Sequence, residues 1–308
     1  MYKFKKILKS KTFLYGKRDI ISERYLMKVI TITNQKGGVG KTVLSALLAY
    51  GLLKVGKRPL LMDLDPQAHL TSFFIKSNEL DAHQGSLHLA RGERFEIVSI
   101  NVSKDNKIGL IPSRLTYMID AFRGQLPLQD MYAVDKRLRT EPAINKNYDY
   151  VICDTPPELF APTVWALYAA DIIIIPINNE ELSILGAKML IQHILPSVFP
   201  YKKDLKVLGL VLTNITYRWK IDTIKRLNEK ITNFIKNQSL AFKPYYYKDP
   251  LFNTTIHREN ELKDLPYRPK RWETPLFRIM DRTPELNEEV VNFAHEVLQR
   301  EQNFYPLQ

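Results

Sequence analysis

Residues 28–56 read KVITITNQKGGVGKTVLSALLAYGLLKVG. Lys28–Thr33 is β-branched and apolar and reads as a strand. Thr42–Val55 reads as an apolar helix, and Gly56 is a good stop for it. Between them lies Lys36-Gly37-Gly38-Val39-Gly40-Lys41-Thr42. Glycines let a backbone curl so that successive N–H groups point inward at phosphate oxygens, and the following helix adds its positive N-terminal end. Lys41 can neutralise β- and γ-phosphates, and the Thr42 hydroxyl can hold Mg²⁺. A glycine cluster alone is weak evidence. Strand, glycine loop, Lys-Thr and helix in this order are the context a phosphate loop needs. Lys36 is a second lysine beside the same phosphates. As a surface lysine it would be unremarkable; as a functional group it could bridge phosphates bound in a facing subunit.

Outward from this segment the chain alternates strand and helix. Arg58–Asp63, Lys107–Ile111, Tyr148–Cys153, Asp171–Ile177 and Lys206–Thr213 are short apolar runs. Strands apolar at every position are buried on both faces, as in parallel sheets. Leu182–His193 and Ile221–Lys236 read as helices. A last helix starts at Thr283-Pro284-Glu285, with Thr283 as N-cap and an apolar stripe of Leu286, Val290, Phe293 and Val297. The expected fold class is α/β: a single P-loop NTPase domain over residues 28–308, with a mostly parallel twisted sheet and helices on both faces. Residues 243–282 read as irregular.

Two acidic motifs end strands. Asp63-Leu64-Asp65-Pro66-Gln67 closes one, and strand alternation puts Asp63 and Asp65 on the same side. Carboxylates at the C-terminal edge of a parallel sheet sit where ligands bind. One could polarise an attacking water and the other support Mg²⁺; helix capping is the plainer alternative. Val151-Ile152-Cys153-Asp154-Thr155 ends another strand on an acid, which suits Asp154 to the Mg²⁺ shell.

Composition bounds the rest. The chain has 308 residues, 45% hydrophobic and 25% charged, an ordinary globular balance. Cys153 is its one cysteine, so no disulfide framework or multi-cysteine cluster forms within it, which fits a reducing cytoplasm. No apolar run reaches the roughly 20 residues that a membrane span needs. The net charge of +12 favours polyanionic partners, chiefly nucleic acid. Residues 1–27 read as a flexible basic leader, with seven Lys/Arg and no acid in the first 18 positions.

Together the three motifs resemble the ParA/MinD branch of P-loop ATPases, with its deviant phosphate loop, and most of all ParA-type DNA partition ATPases. The matching stretches are 32–42, 56–67 and 147–157, with softer matches at Ile-Pro-Ser (111–113), 170–176 and Leu-Thr-Asn (212–214). The resemblance implies ATP and Mg²⁺ as cofactors. It implies that Lys36 reaches across an ATP-dependent homodimer and that Asp65 positions the hydrolytic water. Thr42, Asp63 and Asp154 would lie near the metal, residues 36–43 around the phosphates and Asn214 at the base. It further implies non-specific DNA binding by the ATP-bound dimer, release by hydrolysis that a ParB-like centromere-binding protein stimulates, and a nucleoid-associated location. Val43 departs from the family, which usually continues the loop with further threonines.

Candidate DNA contacts are Arg218 and Lys220, near Lys225 and Arg226, and a second cluster at Arg268, Lys270 and Arg271 beside Tyr267 and Trp272. Two other readings stay open. A MinD-like membrane-cycling ATPase needs a basic amphipathic C-terminal helix, but residues 287–308 carry four Glu and one Arg. A nucleotide-gated DNA-binding regulator with negligible turnover is opposed by the intact Lys36, Asp65 and Asp154.

Overall fold

Eight strands build the core of the molecule: β1 (Lys28–Ile32), β2 (Pro59–Asp63), β3 (Val98–Asn101), β4 (Lys107–Ile111), β5 (Tyr150–Asp154), β6 (Ile172–Ile177), β7 (Lys206–Ile215) and β8 (Ile256–His257). They form one sheet in the order β3-β4-β2-β5-β1-β6-β7-β8. Every pairing is parallel except β3–β4. The computed structural model describes residues 27–114, 116–117, 131–215, 221–238, 240–257, 275–304 and 306. The leader up to residue 26 and Arg218, Lys220, Tyr267, Arg268, Lys270, Arg271 and Trp272 lie outside the described residues.

Seven helices of eight residues or more are described: α1 (Lys41–Lys54), α2 (Ala133–Thr140), α3 (Ala161–Ala169), α4 (Glu181–Met189), α5 (Ile221–Lys236), α6 (Pro275–Arg282) and α7 (Pro284–Gln302). The all-apolar strands feed both faces of the sheet, as their pattern predicts. Ile30, Ile32, Leu61, Ile152, Ile172 and Ile174 pack with α1, α6 and α7. Val29, Leu60, Met62, Val151, Cys153, Ile173 and Ile175 pack with α2 to α5 on the other face.

α1 runs between the sheet and α7, so its residues are buried nearly all round. It ends as its sequence requires. Gly56 takes φ +79°, its N–H donates to Leu53 O at 3.0 Å, and Lys57 N–H donates to Leu52 O at 2.9 Å. β7 carries a bulge. Ile173 faces Val207 and Ile174 faces Gly209, so Leu208 is the extra residue. Gly209 takes φ +139°, and a Cβ there would lie 2.4 Å from Pro250 O.

Several expectations change. Met27 is not leader but core, fully buried, and its carbonyl accepts Arg139 Nη1 at 3.0 Å. The stretch 243–282, read as irregular, holds β8 and α6. Thr283 sits at the N-cap of α7 but makes no side-chain cap; its hydroxyl donates back to Ile279 O at 2.6 Å, closing α6 instead. Helical turns also continue from α4, so Glu181–Tyr201 is a 21-residue stretch holding an 18-residue window of mean hydropathy 1.4, long and apolar enough to cross a membrane. This corrects the expectation that no apolar run reaches the length of a membrane span. Its Ala187, Leu190, Ile191, Ile194, Leu195 and Val198 are buried against the sheet, which accounts for the hydropathy as core packing.

Candidate functional site

The C-terminal ends of β1, β2 and β5 bring the three motifs together. β1 runs into the glycine loop, where Gly38 and Gly40 take φ +76° and +80°, conformations that strain any other residue. α1 starts at Lys41 directly after the left-handed Gly40, so its first N–H groups face the loop. Lys41 is buried, and its Nζ donates to Lys36 O at 2.9 Å and Asn34 O at 3.3 Å. Burial lowers its pKa, while Asp154, Asp65 and Glu158 pull it back up. A buried ammonium held by carbonyls and facing carboxylates is a fixed positive charge in the crook of the loop.

Asp63 and Asp154 are register partners across β2 and β5, and both are fully buried. Burial is the main force raising both, and with the charge of Asp65 it takes Asp154 up to about 7. Thr42, Lys41 and Ser45 oppose the rise at Asp154, with Ser45 Oγ donating to its Oδ1 at 3.4 Å. Asp154 Oδ2 is buried without a hydrogen-bond partner. A buried carboxylate oxygen without a donor, next to a threonine hydroxyl, suits a hard divalent cation. These two residues therefore fit Mg²⁺.

Asp63 is engaged differently. Its Oδ1 accepts Asp65 N–H at 3.0 Å, and its Oδ2 accepts Thr71 N–H at 2.8 Å and Thr71 Oγ1 at 2.7 Å. Thr71 Oγ1 in turn accepts Ser113 N–H at 2.8 Å, which draws in the Ile-Pro-Ser segment. Asp63 thus pins the turn that presents Asp65. Asp65 is 6% exposed, and its Oδ1 accepts Gln67 N–H at 2.9 Å. Thr155 Oγ1 donates to Ile32 O at 2.9 Å, tying the turn after Asp154 to the end of β1.

Asn34 is held by β6 and α4, and Lys36 lies close against α4. Asn34 Nδ2 donates to Pro176 O at 2.8 Å and Ser183 O at 3.2 Å. Gly186 lets the helix approach: a Cβ there would lie 2.4 Å from Asn34 Oδ1 and 3.1 Å from Lys36 Cβ. On the far side Thr213 Oγ1 donates to Val39 O at 2.8 Å, and Asn214, exposed, takes φ +56°. Sequence reasoning passed over Ser45, Thr71 and Gly186. Only Ser45 carried a signal: it lies four residues after Lys41 and so on the same helix face.

A strand, a glycine loop, a buried lysine at a helix start and two acids on adjacent strand ends define a P-loop NTPase site. An AAA-domain family model matches residues 27–207. The sporulation initiation inhibitor protein Soj of Bacillus subtilis is 30% identical over 240 residues, 78% of this chain and 87% of that protein. The chromosome partitioning protein ParA of Myxococcus xanthus is 31% identical over 247 residues, 78% of each. The solved structure of pNOB8 ParA superposes with a TM-score of 0.79 at 24% identity, covering 90% of this chain and 99% of that one. The same protein bound to nonspecific DNA superposes at 0.75 and 22% identity, over 91% and 100%. The chain belongs to the Soj/ParA family of partition ATPases.

Proposed function

We propose that this protein hydrolyses Mg·ATP as a partition ATPase that dimerises on ATP, binds DNA without sequence preference and lets go after hydrolysis. The observation that carries the reading is the placement of Lys41 amid Asp65 and Asp154, beside the loop that holds Lys36. Lys41, Thr42 and the N–H groups of residues 37–43 hold the triphosphate. Thr42 and Asp154 would hold Mg²⁺, which would supply charge neutralisation to the phosphates. Asp65 orients water for in-line attack on the γ-phosphate. Asp63 positions Asp65 through its main-chain N–H rather than meeting the metal itself.

Dimerisation draws on Lys36 and on α4. Lys36 of each subunit reaches the phosphates of the other. Leu182, Leu185 and Met189 of α4 are 57%, 51% and 49% exposed, an apolar stripe on the helix that lies against the Lys36 segment. A second copy covering that stripe would close over the same loop. The relative bound to nonspecific DNA supports the DNA step, and the +12 charge suits it. Arg218, Lys220, Arg268, Lys270 and Arg271 remain the proposed contacts. The expected stimulating partner is a ParB-like centromere-binding protein, and the expected location is the nucleoid.

Size and DNA binding should be measured without nucleotide, with ADP and with ATP, for the natural chain, Lys36→Ala and Asp65→Ala. Only ATP should give a DNA-binding dimer. Lys36→Ala should stay monomeric, and Asp65→Ala should bind but not turn over. DNA affinity that ignores nucleotide in all three proteins would sink the switch. Normal hydrolysis by Asp65→Ala would remove that acid from its role.

A further inference from the structure

The turn after Asp154 carries an acid that the phosphate site does not account for. Glu158 is exposed, and among the described residues its carboxylate makes no ion pair or hydrogen bond. Its main chain, by contrast, is held. Glu158 O accepts Thr163 Oγ1 at 2.7 Å and Phe160 N–H at 3.0 Å, which ties residue 158 to the start of α3. One residue earlier, Pro157 lies against the phosphate loop: a Cβ on Gly37 would stand 4.0 Å from its Cγ. On the other flank of the two prolines, Thr155 is tied to the end of β1. The turn therefore fixes Glu158 at the rim of the loop and leaves its carboxylate in solvent.

Its charge reaches into the site. Among the described residues, Glu158 is the one exposed acid that acts on Lys41, after the buried Asp154 and Asp65. Asp154 suits a divalent cation, and Asp63 is tied to Thr71. Glu158 has no such partner. An unpaired carboxylate beside a loop that receives a triphosphate opposes that ligand. The same carboxylate favours any cation that arrives at the rim. In the closed pair that cation is Lys36 of the facing copy.

One charge thus acts with two signs. It disfavours nucleotide on a lone subunit and favours the closed pair over the open one. A group with that differential effect couples ligand binding to closure. We propose that Glu158 is a positioning residue for closure: its carboxylate weakens triphosphate binding by a lone subunit and draws in the lysine of the facing copy, so that tight ATP binding waits for a second subunit. The inference rests on the Lys36-bridged dimer proposed above.

The test uses the full chain and the magnesium complex of a non-hydrolysable ATP analogue. Glu158→Gln and the charge-keeping Glu158→Asp are compared in two settings. In Lys36→Ala, which keeps the subunit alone, calorimetry reads nucleotide affinity. Adding Glu158→Gln there should raise it about two- to fivefold, the range of one exposed charge pair, and high salt should shrink the gain. With Lys36 present and the analogue saturating, Glu158→Gln should need about two- to fivefold more protein to form the dimer. Glu158→Asp should stay near the parent values in both settings. A misfolded variant loses both properties, whereas the proposed role moves them in opposite directions. Unchanged affinity in the lone subunit, or a dimer that forms as readily without the charge, would overturn the role of Glu158 alone. A Lys36→Ala chain that dimerises like the natural one, or a natural chain that binds no nucleotide, would overturn the dimer reading, and the role of Glu158 with it.

Discussion

Gly186 is a helical glycine whose replacement should hurt the site more than the fold. Alanine there gains up to about 1 kcal/mol of helix propensity. Its Cβ would nevertheless stand 2.4 Å from Asn34 Oδ1 and press on Lys36. Gly186→Ala should therefore lower the melting temperature only modestly, the propensity gain offsetting part of an overpacking cost of about 1–3 kcal/mol. It should lower ATP turnover at least about tenfold, because a small misplacement of positioning groups is costly in rate. Natural turnover in that variant would show that α4 does not set the loop. Nothing in the sequence marked this glycine, since the residues it meets, Asn34 and Lys36, are far from it along the chain. Lys36, Lys41, Thr42, Asp65 and Asp154 were legible because their spacing around glycines and strand ends is local. Asp63 was legible as an acid but not as a strut, since that role depends on Thr71 and Ser113 folding back onto it.

Among the described helices, α1 and α7 pack most extensively. A Cβ on Gly51 would lie 2.6 Å from Val290 O and 3.0 Å from Ala294 Cβ. Gly51→Ala gains the same propensity but must push the helix backbones apart, an overpacking cost of about 1–3 kcal/mol. The cost wins, and a denaturant melt should show net destabilisation; a more stable variant would contradict this packing. The apolar strands β1, β2, β5, β6 and β7 were readable to within two residues or so, because burial on both faces makes every position apolar. β3 and β8 escaped notice. One is an antiparallel edge strand half open to solvent, the other is two residues long, and both depend on neighbours rather than on their own pattern. α6 was masked by the prolines and aromatics before it. Thr283 shows a cap signal turned to another use, its hydroxyl closing the helix behind it.

Across the whole molecule, charge is divided. The net +12 coexists with a buried cluster of three carboxylates beside the phosphate loop. On the proposed function, the buried acids would meet a cation and the excess of basic residues a polyanion. Binding of the ATP-loaded protein to DNA should thus weaken steeply with salt, by roughly 10³-fold between 50 and 200 mM if six phosphates are met. A log–log slope near zero in a titration would rule out phosphate contacts as the source of affinity.

The contacts of α7 order events during synthesis: its Glu296 accepts Asn253 N–H at 2.9 Å, and its Arg300 donates to Leu208 O in the bulge of β7 at 2.8 Å. The strands carrying Lys41, Asp65 and Asp154 leave the ribosome well before residues 284–302 do. Until those are made, one face of the sheet lacks its outer cover over α1, and Arg300 cannot brace the bulge in β7. A nascent chain would own its phosphate loop but not the bracing of β7. The phosphate loop is thereby made well before the helix that completes its surroundings.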